Sequence, residues 1–186
     1  MEIWEENNNM KRAHITLLEM AEDVPFAMPR RIGFGETDAA RIVYTVRFFD
    51  YAIDAIDAWF DAIAGASFYV LNTEYDISCP FVHAELDFQA PLRPGDDLVT
   101  QVFVERLGRS SLTFRVRGAL RGGRPCFAGR FTVSFIAPSL MKAIPVPPEL
   151  AARVELYQAR CAAWSLAQGE AAADGRGVAQ APAPRA

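Results

Sequence analysis

The polar turn Gly35-Glu36-Thr37-Asp38 puts acidic side chains immediately ahead of a long apolar segment. A carboxylate presented by such a turn can act as a nucleophile or as a general base toward a carbonyl. By its position alone, Asp38 reads as a turn or helix-capping residue. A second acidic set, Asp50, Asp54, Asp57 and Asp61, falls on one narrow stripe when residues are placed about 100° apart. Like charges at that spacing repel only weakly. The stripe therefore reads as a solvated or dimer-edge face, not a metal site or second acid, with Asp54 or Asp57 left to border a pocket. Serine-triad chemistry would have to use His83, and no G-x-S-x-G elbow exists to serve it. His83 reads as a surface or interface residue. With only His14 and His83 and no C-x-x-C, a zinc site is not expected. Cys79 lies near no evident base and reads as structural.

These residues need elements to hold them. Phe49, Ile53, Ile56, Phe60 and Ile63 recur at helical steps, and Ala, Ile, Phe, Trp or Tyr fills most of the remaining circumference. A helix so apolar must be wrapped by other structure, and Gly65 supplies its stop. Phe26 to Phe34 reads as a strand, with Pro29 at a sheet edge. Residues 66–80 read as a connection containing a short strand near Tyr69 to Tyr75. From Val82 the period becomes two: Val82, Ala84, Leu86, Phe88, Ala90 and Leu92 alternate with His83, Glu85, Asp87, Gln89, Pro91 and Arg93, which predicts a long half-buried strand. Leu98–Leu107, a strand around Leu112–Val116 and Cys126–Ile136 follow, joined by turns at Arg93–Asp97, Gly108–Ser110 and Arg121–Arg124. Short turns between consecutive strands predict an antiparallel meander. Arg115 and Arg117 alternate with buried positions and are expected in solvent. Pro147-Pro148-Glu149 opens a last helix with Leu150, Val154, Tyr157, Cys161 and Trp164 on one face.

The class is α+β, an antiparallel sheet curled around a central helix, with an additional C-terminal helix. A sheet of four or five strands cannot enclose the helix completely, so edge-to-edge pairing with a second copy is expected. The 186 residues divide into an extension at 1–24, a domain at 25–167 and a tail at 168–186 expected to be disordered. A net charge of −4 argues against nucleic acid as a partner. No run of about 18 uncharged apolar residues predicts a membrane span. Three scattered cysteines and a polar, acidic start without an apolar signal segment point to a cytoplasmic protein.

Arg31 to Tyr44, RIGFGETDAARIVY, resembles the signature of the 4-hydroxybenzoyl-CoA thioesterase family, whose members have the hotdog fold. The likeness extends less specifically through VHAELDFQAPLRPGDDL and the GRSS turn, covering about residues 26–150. The chain departs from the commonest pattern at Arg41, where the family has glycine, and at Thr45, where many members carry histidine or tyrosine. The resemblance implies that Asp38 is the catalytic aspartate. It implies that the main-chain N–H of Ser78, in the turn before Pro80, polarises the thioester carbonyl. It further implies that Arg106, Arg109 and Ser110 hold the nucleotide end of coenzyme A, with Tyr44 and Thr45 bordering the substrate. The implied activity is hydrolysis of an acyl-CoA, aryl groups favoured, by a homodimer or homotetramer with interfacial sites. No cofactor beyond the substrate's own CoA is implied.

Such chemistry is within reach of these groups. A thioester already has a good leaving group, so the site needs a carboxylate against the carbonyl and donors facing the developing oxyanion. Asp38 either attacks to give a mixed anhydride or activates water as general base. Coenzyme A is anionic and so is the protein, but screening over about 8 Å lets nearby arginines decide. An acyl carrier protein as substrate, or acyl-CoA binding without turnover, are the competing readings.

Overall fold

The computed structural model of the protein describes residues 20–22 and 24–167. Most of the extension at 1–24 and the whole of the tail from 168 lie outside those residues. Strand β1 (Phe26–Arg31) leads to helix α1 (Thr45–Trp59) and a shorter helix α2 (Phe68–Tyr75). Strands β2 (Phe81–Phe88), β3 (Asp97–Leu107), β4 (Ser111–Leu120) and β5 (Pro125–Ser134) follow. A small ribbon of β6 (Ile136–Ala137) and β7 (Lys142–Ala143) precedes helix α3 (Pro148–Ala167).

The five long strands form one antiparallel sheet in the order β1-β3-β4-β5-β2, packed around α1. This is the expected α+β hotdog arrangement. Helix α1 buries Phe48, Tyr51, Ala52, Ala55, Ile56 and Trp59. Trp59 is fully enclosed, with ring centres of Phe60, Phe114 and Tyr157 at 5.2, 5.1 and 5.5 Å. Each such side chain adds roughly 1.5–3 kcal/mol of transfer free energy. Beyond Trp59 the chain widens into a π-helical turn, Phe60–Ala64, and stops at Gly65 in the left-handed region (φ 83°). Among the described residues no helix is long and apolar enough to cross a membrane.

Three expectations are corrected. The segment near Tyr69 to Tyr75 is helix, not strand, because the Ser67 hydroxyl accepts the Val70 N–H at 3.3 Å and caps it. The meander holds only for β3, β4 and β5. Strand β2 crosses to the far edge beside β5, its connection fastened by the N–H groups of Gln89 and Ala90 on the Cys126 carbonyl. Period-two alternation reveals a strand but not its neighbour. Finally, β2 is not half-buried: Val82, Ala84 and Phe88 are exposed, because α1 reaches that strand through Phe48, whose ring lies 5.2 Å from Phe88.

The two sheet edges differ. Pro29 does sit on an edge strand, β1, which covers β3 only as far as Val102. Past that point α3 takes over, with the Tyr157 hydroxyl bonded to the Val102 carbonyl and the Gln158 amide to that of Val104 at 3.1 Å. Among the described residues strand β2 has no such cover. The outer sheet face carries Arg115 half-buried over Phe103 (5.3 Å), so stacking holds it there and not hydration alone.

Candidate active site

After β1 the chain makes a 3-10 turn, Phe34–Glu36. The Glu36 carboxylate accepts the Gly33 N–H at 2.6 Å, and the Thr37 hydroxyl donates to the Phe34 carbonyl at 2.8 Å. Thr37 then bridges Val43, the Asp38 N–H donates to the Ile42 carbonyl at 3.1 Å, and the Arg41 N–H returns to the Asp38 carbonyl at 3.0 Å. The loop closes where the Tyr44 N–H meets the Glu36 carbonyl at 3.0 Å, and Tyr44 is the N-cap of α1. Asp38 is thus displayed on a closed loop directly before the helix. Its carboxylate is exposed and accepts the Ala40 N–H through Oδ1 at 2.8 Å. Among the described residues no hydrogen bond engages Oδ2.

Arg41 lies at φ 61°, in the left-handed region, which explains why glycine suits that position. Arg41→Gly is expected to leave stability unchanged or raise it by up to about 1 kcal/mol, while Arg41→Val lowers it. Urea unfolding of the two variants checks this.

Tyr44 and Thr45 stand with Asp38, both exposed at the mouth of the loop. The N–H groups opening a helix have no intrahelical acceptors, and here those of Thr45 and Val46 begin α1 while that of Arg47 turns back to the Tyr44 carbonyl. Phe34, Tyr44, Val46 and Phe88 add exposed apolar surface, Phe34 being 85 % exposed.

The other expected site residues are elsewhere in the chain. The Asp38 loop leans on the start of β3, through Val43 N–H on the Leu92 carbonyl (2.9 Å) and Ile32 N–H on that of Asp96 (2.9 Å). Arg106, Arg109 and Ser110 lie at the opposite end of that strand. Ser110 and Arg109 accept main-chain bonds from Phe135 and Val146 there, and Ser78 is paired with Ile136 beside them. Eleven strand residues separate the two groups by roughly 30 Å. The Ser78 N–H itself is spent on the Ile136 carbonyl at 2.9 Å, which removes it as an oxyanion donor in this arrangement.

The acidic stripe resolves into anchors. Asp50 pairs with Arg47 (3.0 Å), Asp54 with Arg30 (2.9 Å), and Asp57 accepts the Phe68 N–H (3.1 Å). Arg30 went unread because it meets the helix only after β1 is folded onto it. His83 is exposed beside Glu85 at 3.5 Å. Burial pushes the Cys79 thiol up to about 12, so it supplies no thiolate nucleophile near neutral pH. Partial burial works against ionisation of Glu36, yet the Gly33 N–H and the Arg30 guanidinium hold it below the usual carboxylate range. Its contribution to stability is therefore present above the free carboxyl's range and lost as pH falls through the lowered value.

The family model of the thioesterase-like superfamily matches residues 32–154, from the Asp38 loop through β2 to β5 into α3. The chain belongs to this superfamily. Its similarity to a thioesterase-superfamily structure from Jannaschia sp. CCS1 is 35% in sequence with a TM-score of 0.68, over 75% of this chain and 97% of that one. A 1,4-dihydroxy-2-naphthoyl-CoA thioesterase from Synechocystis shares the fold, with TM-score 0.65 and 22% identity over 69% of this chain and 94% of that one. A 1,4-dihydroxy-2-naphthoyl-CoA hydrolase from Synechococcus elongatus is 33% identical over 91 residues. That match spans 49% of this chain and 65% of the relative's length.

Proposed function

We propose that this superfamily member hydrolyses the thioester of an acyl-CoA to the free acid and CoA, with aryl acyl groups preferred. The observation that carries the reading is Asp38, exposed on a closed loop whose far end opens α1. Asp38 is the nucleophile or the general base. In the first route its carboxylate attacks the carbonyl, CoA leaves as thiolate, and water cleaves the mixed anhydride. In the second, Asp38 takes a proton from the attacking water. The Thr45 and Val46 N–H groups, at the positive end of α1, supply the donors for the oxyanion in place of Ser78. The exposed rings of Phe34, Tyr44 and Phe88 suit a flat acyl group, in keeping with the naphthoyl-CoA named for the relatives.

The opposed positions of Asp38 and Arg106/Arg109 support a composite site. Strand β2 is the uncovered edge, and antiparallel strands of two copies can pair there about a two-fold axis. That pairing sets the Phe88 end of one copy against the Phe81 end of the other. It brings Ser78, Arg106, Arg109 and Ser110 of a second copy toward Asp38.

Free-thiol release from benzoyl-, hydroxybenzoyl-, hydroxynaphthoyl- and straight-chain acyl-CoAs tests the reading. An aryl kcat/KM at least about tenfold above the aliphatic ones is expected, a normal reach for pocket discrimination. Release only from an acylated carrier protein would reassign the substrate. Tight binding without release from any thioester would make the protein a binder.

A further inference from the structure

Of the two carboxylates in the turn, Glu36 has both oxygens engaged. Oε2 accepts the Gly33 N–H at 2.6 Å and Oε1 lies 3.1 Å from Nη2 of Arg30. The other arm of that guanidinium, Nη1, reaches Asp54 in the third turn of α1 at 2.9 Å. Its carbon rests 4.6 Å from the centre of the Tyr51 ring, itself buried one helical turn earlier. The main-chain carbonyl of Glu36 meanwhile receives the Tyr44 N–H that closes the Asp38 loop. One residue therefore joins β1, the loop and the helix.

We infer that the Arg30–Glu36–Asp54 bridge is a positioning device: it fixes the Asp38 loop against the first turns of α1, so that carboxylate and helix-end donors face the same point. The inference rests on the proposed catalytic role of Asp38. Asp38 is held only by bonds within its own loop, and the side-chain ties of that loop to the helix converge on Glu36, through Arg30 to Asp54 and directly to Tyr51. Without the bridge the loop can pivot about Gly33 and Gly35. Reaching chemistry is sensitive to such pivoting, since misplacement by about 1 Å can cost on the order of 10²-fold. Arg30 also explains the acidic stripe at Asp54, which otherwise faces solvent. The fork geometry matters: lysine offers one point charge and cannot bridge two carboxylates at these distances.

A double-mutant cycle in the full-length protein tests this, with Glu36→Gln made in the wild-type and in the Asp38→Asn backgrounds. Glutamine keeps an acceptor for the Gly33 N–H but loses the charge that holds Arg30. The expected result is a kcat lower by about 10–100-fold in the wild-type background with KM within about threefold, and no further loss in the Asp38→Asn background. Arg30→Lys should match the glutamine variant in kcat. A multiplicative loss in both backgrounds overturns the positioning role, as does a Glu36→Gln enzyme with normal kcat. Full activity of Asp38→Asn by itself would instead overturn the catalytic assignment on which the inference rests. Should Glu36→Gln lower the melting temperature sharply, Glu36→Asp at a temperature where it is folded serves as the second variant, and an unchanged kcat there also overturns the role.

Discussion

Asp38→Asn should lower kcat for an aryl-CoA by about 10²–10⁴-fold while leaving the fold intact. The structure makes this substitution a clean one. Asparagine retains the side-chain carbonyl that accepts the Ala40 N–H at 2.8 Å, so the loop keeps its internal bond. What disappears is the charge, and with it the nucleophile or base. KM should change little, because on the proposed reading the nucleotide is held by Arg106 and Arg109 and not by Asp38. A single turnover in H₂¹⁸O then separates the two routes. Label in the Asp38 carboxylate identifies an anhydride opened by water at the Asp38 carbonyl, whereas general-base catalysis places label only in the released acid. Thiol release at wild-type rate would remove Asp38 from the mechanism altogether.

The parts of this protein that were legible in its sequence are those with local causes. Helix α1 follows from the spacing of Phe49, Ile53, Ile56 and Phe60, and its end from Gly65, now seen at φ 83°. The departure at Arg41 was visible as a mismatch, but only its φ of 61° shows what the mismatch costs. Strand β2 was found from its alternation, yet its neighbour was not, because pairing with β5 depends on a crossover of residues 89–96. Arg30 shows the same limit at the site. Nothing near it in the sequence marks it as special, since its partners, Glu36 and Asp54, lie on a loop and on a helix. Ser78 shows a related limit: its N–H can be counted in sequence, but that it is already bonded to the Ile136 carbonyl cannot.

The separation of the site into two ends explains an electrostatic feature as well. A net charge of −4 opposes a polyanionic ligand, and of the arginines that flank Asp38 in the sequence Arg30, Arg31 and Arg47 are paired with carboxylates. If each site draws Arg106 and Arg109 from a second copy, the arginines and the aspartate need not be adjacent in one chain. In the proposed antiparallel pairing at the β2 edge, opposite ends of the two sheets would come together. Val82, Ala84 and Phe88 are then buried by assembly, where an exposed apolar edge would otherwise invite aggregation.

Mixing inactive subunits should therefore restore activity. Asp38→Asn removes one half of each site, and the double substitution Arg106→Ala, Arg109→Ala removes the other half. In a hybrid dimer one site carries both defects and the other carries neither. Co-expressing the two chains in equal amounts gives hybrids in half of the dimers, so recovery to about a quarter of the wild-type rate is expected at substrate concentrations well below the arginine variant's KM, where each parent alone is nearly silent. The arginine variant by itself should raise KM more than it lowers kcat, since phosphate contacts act in ground and transition states alike. All three residues are exposed, so folding is not at issue. Sites built within single chains would leave the mixture as inactive as its parents. A mixture no faster than the sum of its parents, with hybrids confirmed by differently tagged chains, would thus exclude the shared site and return Arg106 and Arg109 to the solvent.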